Sequence, residues 1–166
     1  MNQSKPEARI TLPGDGRNIH VLGDEVTIKI SSLDTGGAFT VFEGHTRPHH
    51  GPPLHRHRDQ DEWWYILEGE YLFEVDGKEI LAGPGATVYA PRGSSHTFQN
   101  IGETPGHIVT TVVPGGLDLF FEEIEKAVPA GSVPEPAKMI PIFERHRLEL
   151  LGPPLAKLAP AASAAD

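Results

Sequence analysis

The stretch Pro53-Leu54-His55-Arg56-His57-Arg58-Asp59-Gln60-Asp61-Glu62 places two histidines one residue apart and a glutamate five positions beyond them. Residues two apart in a strand face the same side, so His55 and His57 project together into one interior if this segment is extended. Glu62 stands just before the apolar run 63–67, and a reversal through the polar residues 58–61 returns it beside the two imidazoles. Neutral imidazole with carboxylate suits Fe, Mn, Co, Ni, Cu or Zn in the +2 state. His96 is the fourth candidate ligand. It follows the turn-rich Pro91-Arg92-Gly93-Ser94-Ser95 and precedes a strand-like 97–100, and a strand antiparallel to the first would set it opposite His55 and His57. Three imidazoles and one carboxylate on a six-coordinate metal leave open positions, which separate a catalytic metal from a structural one.

Outward from this stretch the chain reads as short β segments punctuated by Gly and Pro. Strands are expected over 26–30, 39–43, 63–67, 71–75, 79–81, 87–89, 97–100 and 108–113. Asp76-Gly77 between two apolar segments signals a hairpin, because both residues tolerate positive φ. Glu68-Gly69 and Gly83-Pro84-Gly85 mark further reversals. Short strands at this spacing, with no helices between them, predict an antiparallel sandwich or barrel. After Pro114, Leu117, Phe120, Phe121 and Ile124 recur at helical spacing, predicting an amphipathic helix over 117–127. A second helix is expected over 136–147, with Pro141 in its first turn or kinking it. The expected division is a flexible N-terminus (1–9), a β-barrel (10–114), a C-terminal helical extension (115–157) and a disordered Ala/Pro-rich tail (158–166).

With 166 residues the chain suits one domain with a real core. Its 18 Gly and 16 Pro leave little room for long helices. A formal charge of −9 argues against nucleic acid or an anionic membrane as partner, since both demand a basic face. The absence of Cys removes disulfides, thiolate metal sites and a Cys nucleophile together. The polar N-terminus has no apolar core of a secretory signal, and no apolar run has transmembrane length, so the reading is cytoplasmic.

On spacing alone, His55 and His57 also suit solvent-facing positions beside charged neighbours, and His96 alone suits an ordinary polar site. His45, His49 and His50 sit in a Pro/Gly-rich region and are read as surface or pocket-rim residues, as are His20, His107 and His146. Trp63 and Trp64 are read as packing on two faces of a strand.

Two motifs decide between these readings. The sequence resembles the cupin superfamily, whose first motif is G-x5-H-x-H-x3,4-E-x6-G and whose second is G-x5-P-x-G-x2-H-x3-N. Gly85, Pro91, Gly93, His96 and Asn100 match the second throughout. His55, His57, Glu62 and Gly69 match the first, while its leading glycine is displaced to Gly51, four before His55. The resemblance implies an all-β jelly-roll barrel (an antiparallel double-stranded β-helix), with one divalent transition metal (Fe, Ni, Mn, Co, Cu or Zn) on His55, His57, Glu62 and His96. The wording of 53–80 and 83–100 is similar to the quercetin-dioxygenase-like branch of small single-domain cupins.

That branch implies a metal-dependent dioxygenase acting with O2 on a small aromatic or enolisable substrate. Glu62 would then serve as both ligand and proton acceptor. Trp64, Ile66, Phe73 and Phe98 are the expected apolar wall of the substrate pocket. The alternatives are a cupin-type isomerase or decarboxylase, for which product would form under argon, and a non-catalytic small-ligand-binding cupin. A homodimer is expected, because edge strands need cover; a monomeric mass in light scattering would contradict it.

Overall fold

The computed structural model describes residues 7–129 and 131–156, so the expected tail 158–166 and the first six residues lie outside the described residues. The expected strands form, and others join them. They are β1 (Arg17–Val21), β2 (Asp24–Ile30), β3 (Thr40–Thr46), β4 (Pro53–His57), β5 (Asp61–Glu68), β6 (Tyr71–Val75), β7 (Lys78–Ala82), β8 (Thr87–Ala90), β9 (Ser95–Asn100) and β10 (Gly106–Val113). Helices α1 (Leu117–Ala127) and α2 (Pro136–Arg145) follow, and then β11 (Leu148–Pro154). One sheet runs β1-β2-β3-β10-β5-β8 and the other β11-β4-β9-β6-β7, and every strand pairing is antiparallel.

Alternation sets which side chains enter the sandwich. On β10, Ile108, Thr110 and Val112 are buried while the residues between them are not. On β5, Glu62, Trp64 and Ile66 take the inner face. Asp76 and Gly77 both have positive φ (48° and 74°) and close the β6–β7 hairpin, with Val75 opposite Lys78. Gly51 carries a different constraint: a Cβ there would lie 1.8 Å from the Phe98 carbonyl oxygen. The displaced glycine of the first motif is therefore demanded by a close backbone approach to β9.

One sequence expectation is corrected and two details are added. The segment 115–157 is not purely helical, because β11 pairs with β4, setting Leu148 opposite His57 and Leu150 opposite His55. This strand covers the edge that β4 would otherwise expose. Strand β1, unforeseen, pairs with β2. Pro141 lies inside α2, beyond its first turn; Pro136, at the helix start, occupies the position where a missing N–H costs nothing.

The apolar interior falls into two clusters. Trp64, Ile66, Tyr71, Phe73, Val88 and Ile108 fill the closed end of the barrel. At the other end Phe42 and Val112 pack against α1 and α2 through Leu117, Phe120, Phe121, Ile124, Met139, Ile142 and Phe143. The helices thus cap the barrel mouth. Burying a side chain of this size contributes about 1.5–3 kcal/mol, so this cap is a substantial part of the core. No helix among the described residues is long and apolar enough to cross a membrane.

Candidate metal centre

Four polar side chains meet between the two clusters. His55 and His57 come from β4 and His96 from β9, directly opposite His55 in the register. Glu62 comes from β5 in the other sheet, so the group bridges the sandwich. Their ligand atoms all lie within 4.8 Å of one another. Glu62 Oε2 is 3.2 Å from both His57 Nε2 and His96 Nε2. His57, Glu62 and His96 are buried, and His55 keeps a partly open face.

Each imidazole is oriented from behind. His55 Nδ1 lies 2.7 Å from the Pro53 carbonyl, His96 Nδ1 3.3 Å from the Ser94 carbonyl, and His57 Nδ1 3.0 Å from Gln60 Oε1. The Gln60 amide is itself fixed, since its Nε2 donates to the carbonyls of Pro114 (3.0 Å) and Gly115 (3.4 Å). All three partners are acceptors, so each Nδ1 is the N–H donor and each Nε2 offers a lone pair to the centre. Three lone pairs therefore face one carboxyl, whose single proton, when present, can serve only one of them. His57 Nε2 is left buried with no hydrogen-bond partner. A divalent cation satisfies this set, and its residue types suit the first-row transition metals. The residues fit the ion.

Burial, the larger influence, pushes the Glu62 carboxyl up to about 7, against the pull of His57. Burial likewise pushes His55 down to about 3 and both His57 and His96 down to about 4. Above pH ~4 the imidazoles are thus already in the neutral form that binds metal.

The turns around the site are pinned by charge. Arg92 donates through its side chain and backbone N–H to Asp61, holding that carboxyl at about 2. Arg147 makes two hydrogen bonds to Asp59 and accepts at its carbonyl from the Arg58 N–H, tying the 58–61 reversal to β11. Asn100 donates to the Thr46 and Thr104 carbonyls and accepts from the Gly102 N–H, closing the loops beside β9.

A cavity of about 110 Å³ opens onto His55, His57 and Glu62. Of the four expected wall residues, Trp64 and Phe98 line it. Ile66 and Phe73 do not; both are fully buried in the cluster around Trp64, while their cross-strand partners Ile108 and Phe98 line the cavity. Phe42, Phe120, Phe121 and Phe143 line it instead, as does Thr110, whose buried Oγ1 has no hydrogen-bond partner. A polar residue between Ile108 and Val112 on an otherwise apolar face was the signal in the sequence. Gln60 was equally unforeseen; its clue was an amide three residues after a candidate ligand.

Residues 42–113, spanning β3 to β10 and all four side chains, match the family model for a cupin domain. The fold is a cupin jelly roll. Among solved structures, KdgF from Halomonas sp. superposes with a TM-score of 0.61 at 16% identity, over 68% of this chain and 99% of that one. Mannose-1-phosphate guanylyltransferase of Escherichia coli is 29% identical over 97 residues, which cover 57% of this chain and 20% of that protein. Quercetin 2,3-dioxygenase of Bacillus subtilis is 27% identical over 112 residues, 67% of this chain and 33% of that one. The chain thus spans about a fifth of the first curated relatives it matches.

Proposed function

We propose that His55, His57, Glu62 and His96 hold one divalent transition metal and that this cupin is a dioxygenase acting on a small enolisable compound with an aromatic or apolar body. The observation that carries the reading is the convergence of three Nε2 lone pairs and a carboxylate, each imidazole turned inward by an acceptor behind it. Among the described residues no Lys or Arg lines the cavity, so a sugar phosphate, as handled by the guanylyltransferases, has no cationic partner here. The walls offer aromatic contact instead.

When bound, the ion supplies Lewis acidity that lowers the pKa of an enol hydroxyl and orients the enolate toward dioxygen. The side chains do the rest. Glu62 accepts the enol proton; a general base contributes roughly 10²–10⁴ in rate. Thr110 Oγ1 donates to a second oxygen of the substrate and fixes its orientation. Phe120 and Phe121 exclude water from the mouth.

The test is metal analysis of the purified protein, followed by anaerobic addition of a flavonol panel to the dominant metal form. The expected result is a spectral shift without turnover, then product once O2 enters. Product formed under argon would instead identify an isomerase or decarboxylase.

A further inference from the structure

We infer that Glu43, His45 and His107 form a second divalent-metal site, of the zinc class, on the outer face of the six-stranded sheet. Glu43 and His45 are two apart on β3, on the side opposite buried Phe42 and Gly44. His107 stands directly across from His45 on β10. The two imidazoles stack with ring centres 4.3 Å apart and planes at 20°. The candidate ligand atoms of the three residues lie within 4.8 Å of one another.

The two carboxylate oxygens of Glu43 have different neighbours. Oε1 is 3.8 Å from Lys29 Nζ, and Oε2 is 3.7 Å from His107 Nε2. Lys29 is already engaged, donating to the carbonyls of Leu12 (3.0 Å) and Asp15 (2.7 Å). The separation of 3.7 Å is too long for a hydrogen bond. His107 Nε2 is shielded from solvent and has no hydrogen-bond partner. A ring nitrogen facing a carboxylate across that gap, with no protein hydrogen-bond partner among the described residues, is an arrangement a cation completes.

The geometry is close to what zinc requires. Bonds of about 2.0–2.1 Å at tetrahedral angles separate ligand atoms by about 3.4 Å. Glu43 and His107 are nearly at that spacing, and His45 is exposed beside them. Two imidazoles and one carboxylate, with water in the fourth position, make a zinc ligand set without thiolate. The site shares no residue with the inner four, whose imidazoles all come from the other sheet.

Calorimetric titration of Zn²⁺ into the chelator-treated full chain tests this, with circular dichroism confirming that each variant is folded. Wild type should take up two equivalents per chain. His107→Gln and Glu43→Gln should each lose one and keep the other, and His57→Ala should lose the inner one and keep this one. A second equivalent that persists in both outer variants overturns the proposal, as does a stoichiometry of one that His107→Gln leaves unchanged. If the inner site alone fails, wild type takes one equivalent, His57→Ala retains it and His107→Gln abolishes it.

Discussion

Replacing Gln60 with Leu should weaken metal binding although Gln60 touches no metal. In the wild type Gln60 Oε1 accepts from His57 Nδ1 at 3.0 Å while its amide nitrogen is held by Pro114 and Gly115. Leucine keeps much of the volume and removes the acceptor. His57 then has two choices. It can leave a buried Nδ1–H unpaired, at about 1–3 kcal/mol, or shift the proton to Nε2 and donate to Glu62 Oε2, 3.2 Å away. The second choice consumes both the lone pair and the carboxylate oxygen that the ion needs. The expected loss in metal affinity is about 10–100-fold, or about 1.4–2.7 kcal/mol. Gln60→Glu keeps an acceptor at Nδ1 but loses the amide donor to Pro114 and Gly115, so its affinity should fall between wild type and the leucine variant. The assay is competition against a chromophoric chelator at one metal equivalent per chain. A leucine variant within about twofold of wild type would show that the imidazole is not oriented from behind, and the reasoning would fail.

Metal affinity should rise about tenfold per pH unit from about pH 5 to about pH 7 and then level, because binding displaces the Glu62 proton while the imidazoles are already neutral. A slope near three would contradict that assignment. In the metal-free protein the buried histidines have depressed pKa values, so the unfolded chain binds more protons between about pH 4 and 6.5. Glu62, raised to about 7, opposes this with one group against three, so stability should fall as pH drops through that window, as followed by urea denaturation. Gly51→Ala should destabilise by about 3 kcal/mol or more in thermal melts, because the new Cβ meets the Phe98 backbone two residues from His96. Gly85→Ala, with positive φ but open space around it, should cost about 1 kcal/mol. Thr110→Val should raise KM about 3–10-fold and leave metal content unchanged; parallel loss of metal would refute its role as a substrate donor.

Much of this architecture is legible in the residues because its signals are local. Asp76-Gly77 can be little other than a two-residue hairpin, and the His55/His57 alternation states its own face. The helix 117–127 announces itself through Leu117, Phe120, Phe121 and Ile124. What escapes is which of two paired side chains reaches the cavity, and distant pairing. Strand parity correctly turns Ile66 inward with Glu62 and Trp64, but its partner on β10, Ile108, lines the cavity while Ile66 packs in the neighbouring cluster. Phe73 stands in the same relation to Phe98, its partner on β9. Strand β11 was hidden because Gly152-Pro153-Pro154 reads as a terminator, and only the open edge of β4 makes 148–154 extended. The phenylalanines of α1 show an apolar face in the sequence without showing that the barrel mouth is what it covers.

The most direct measurement is X-ray absorption at the metal edge of the His107→Gln chain carrying one metal equivalent. A centre with three imidazole nitrogens and one carboxylate oxygen is predicted, falling to two imidazoles in the added His96→Ala variant. A spectrum lacking multiple imidazole scattering, or one that His96→Ala leaves unchanged, would contradict the metal centre on which the proposed chemistry rests.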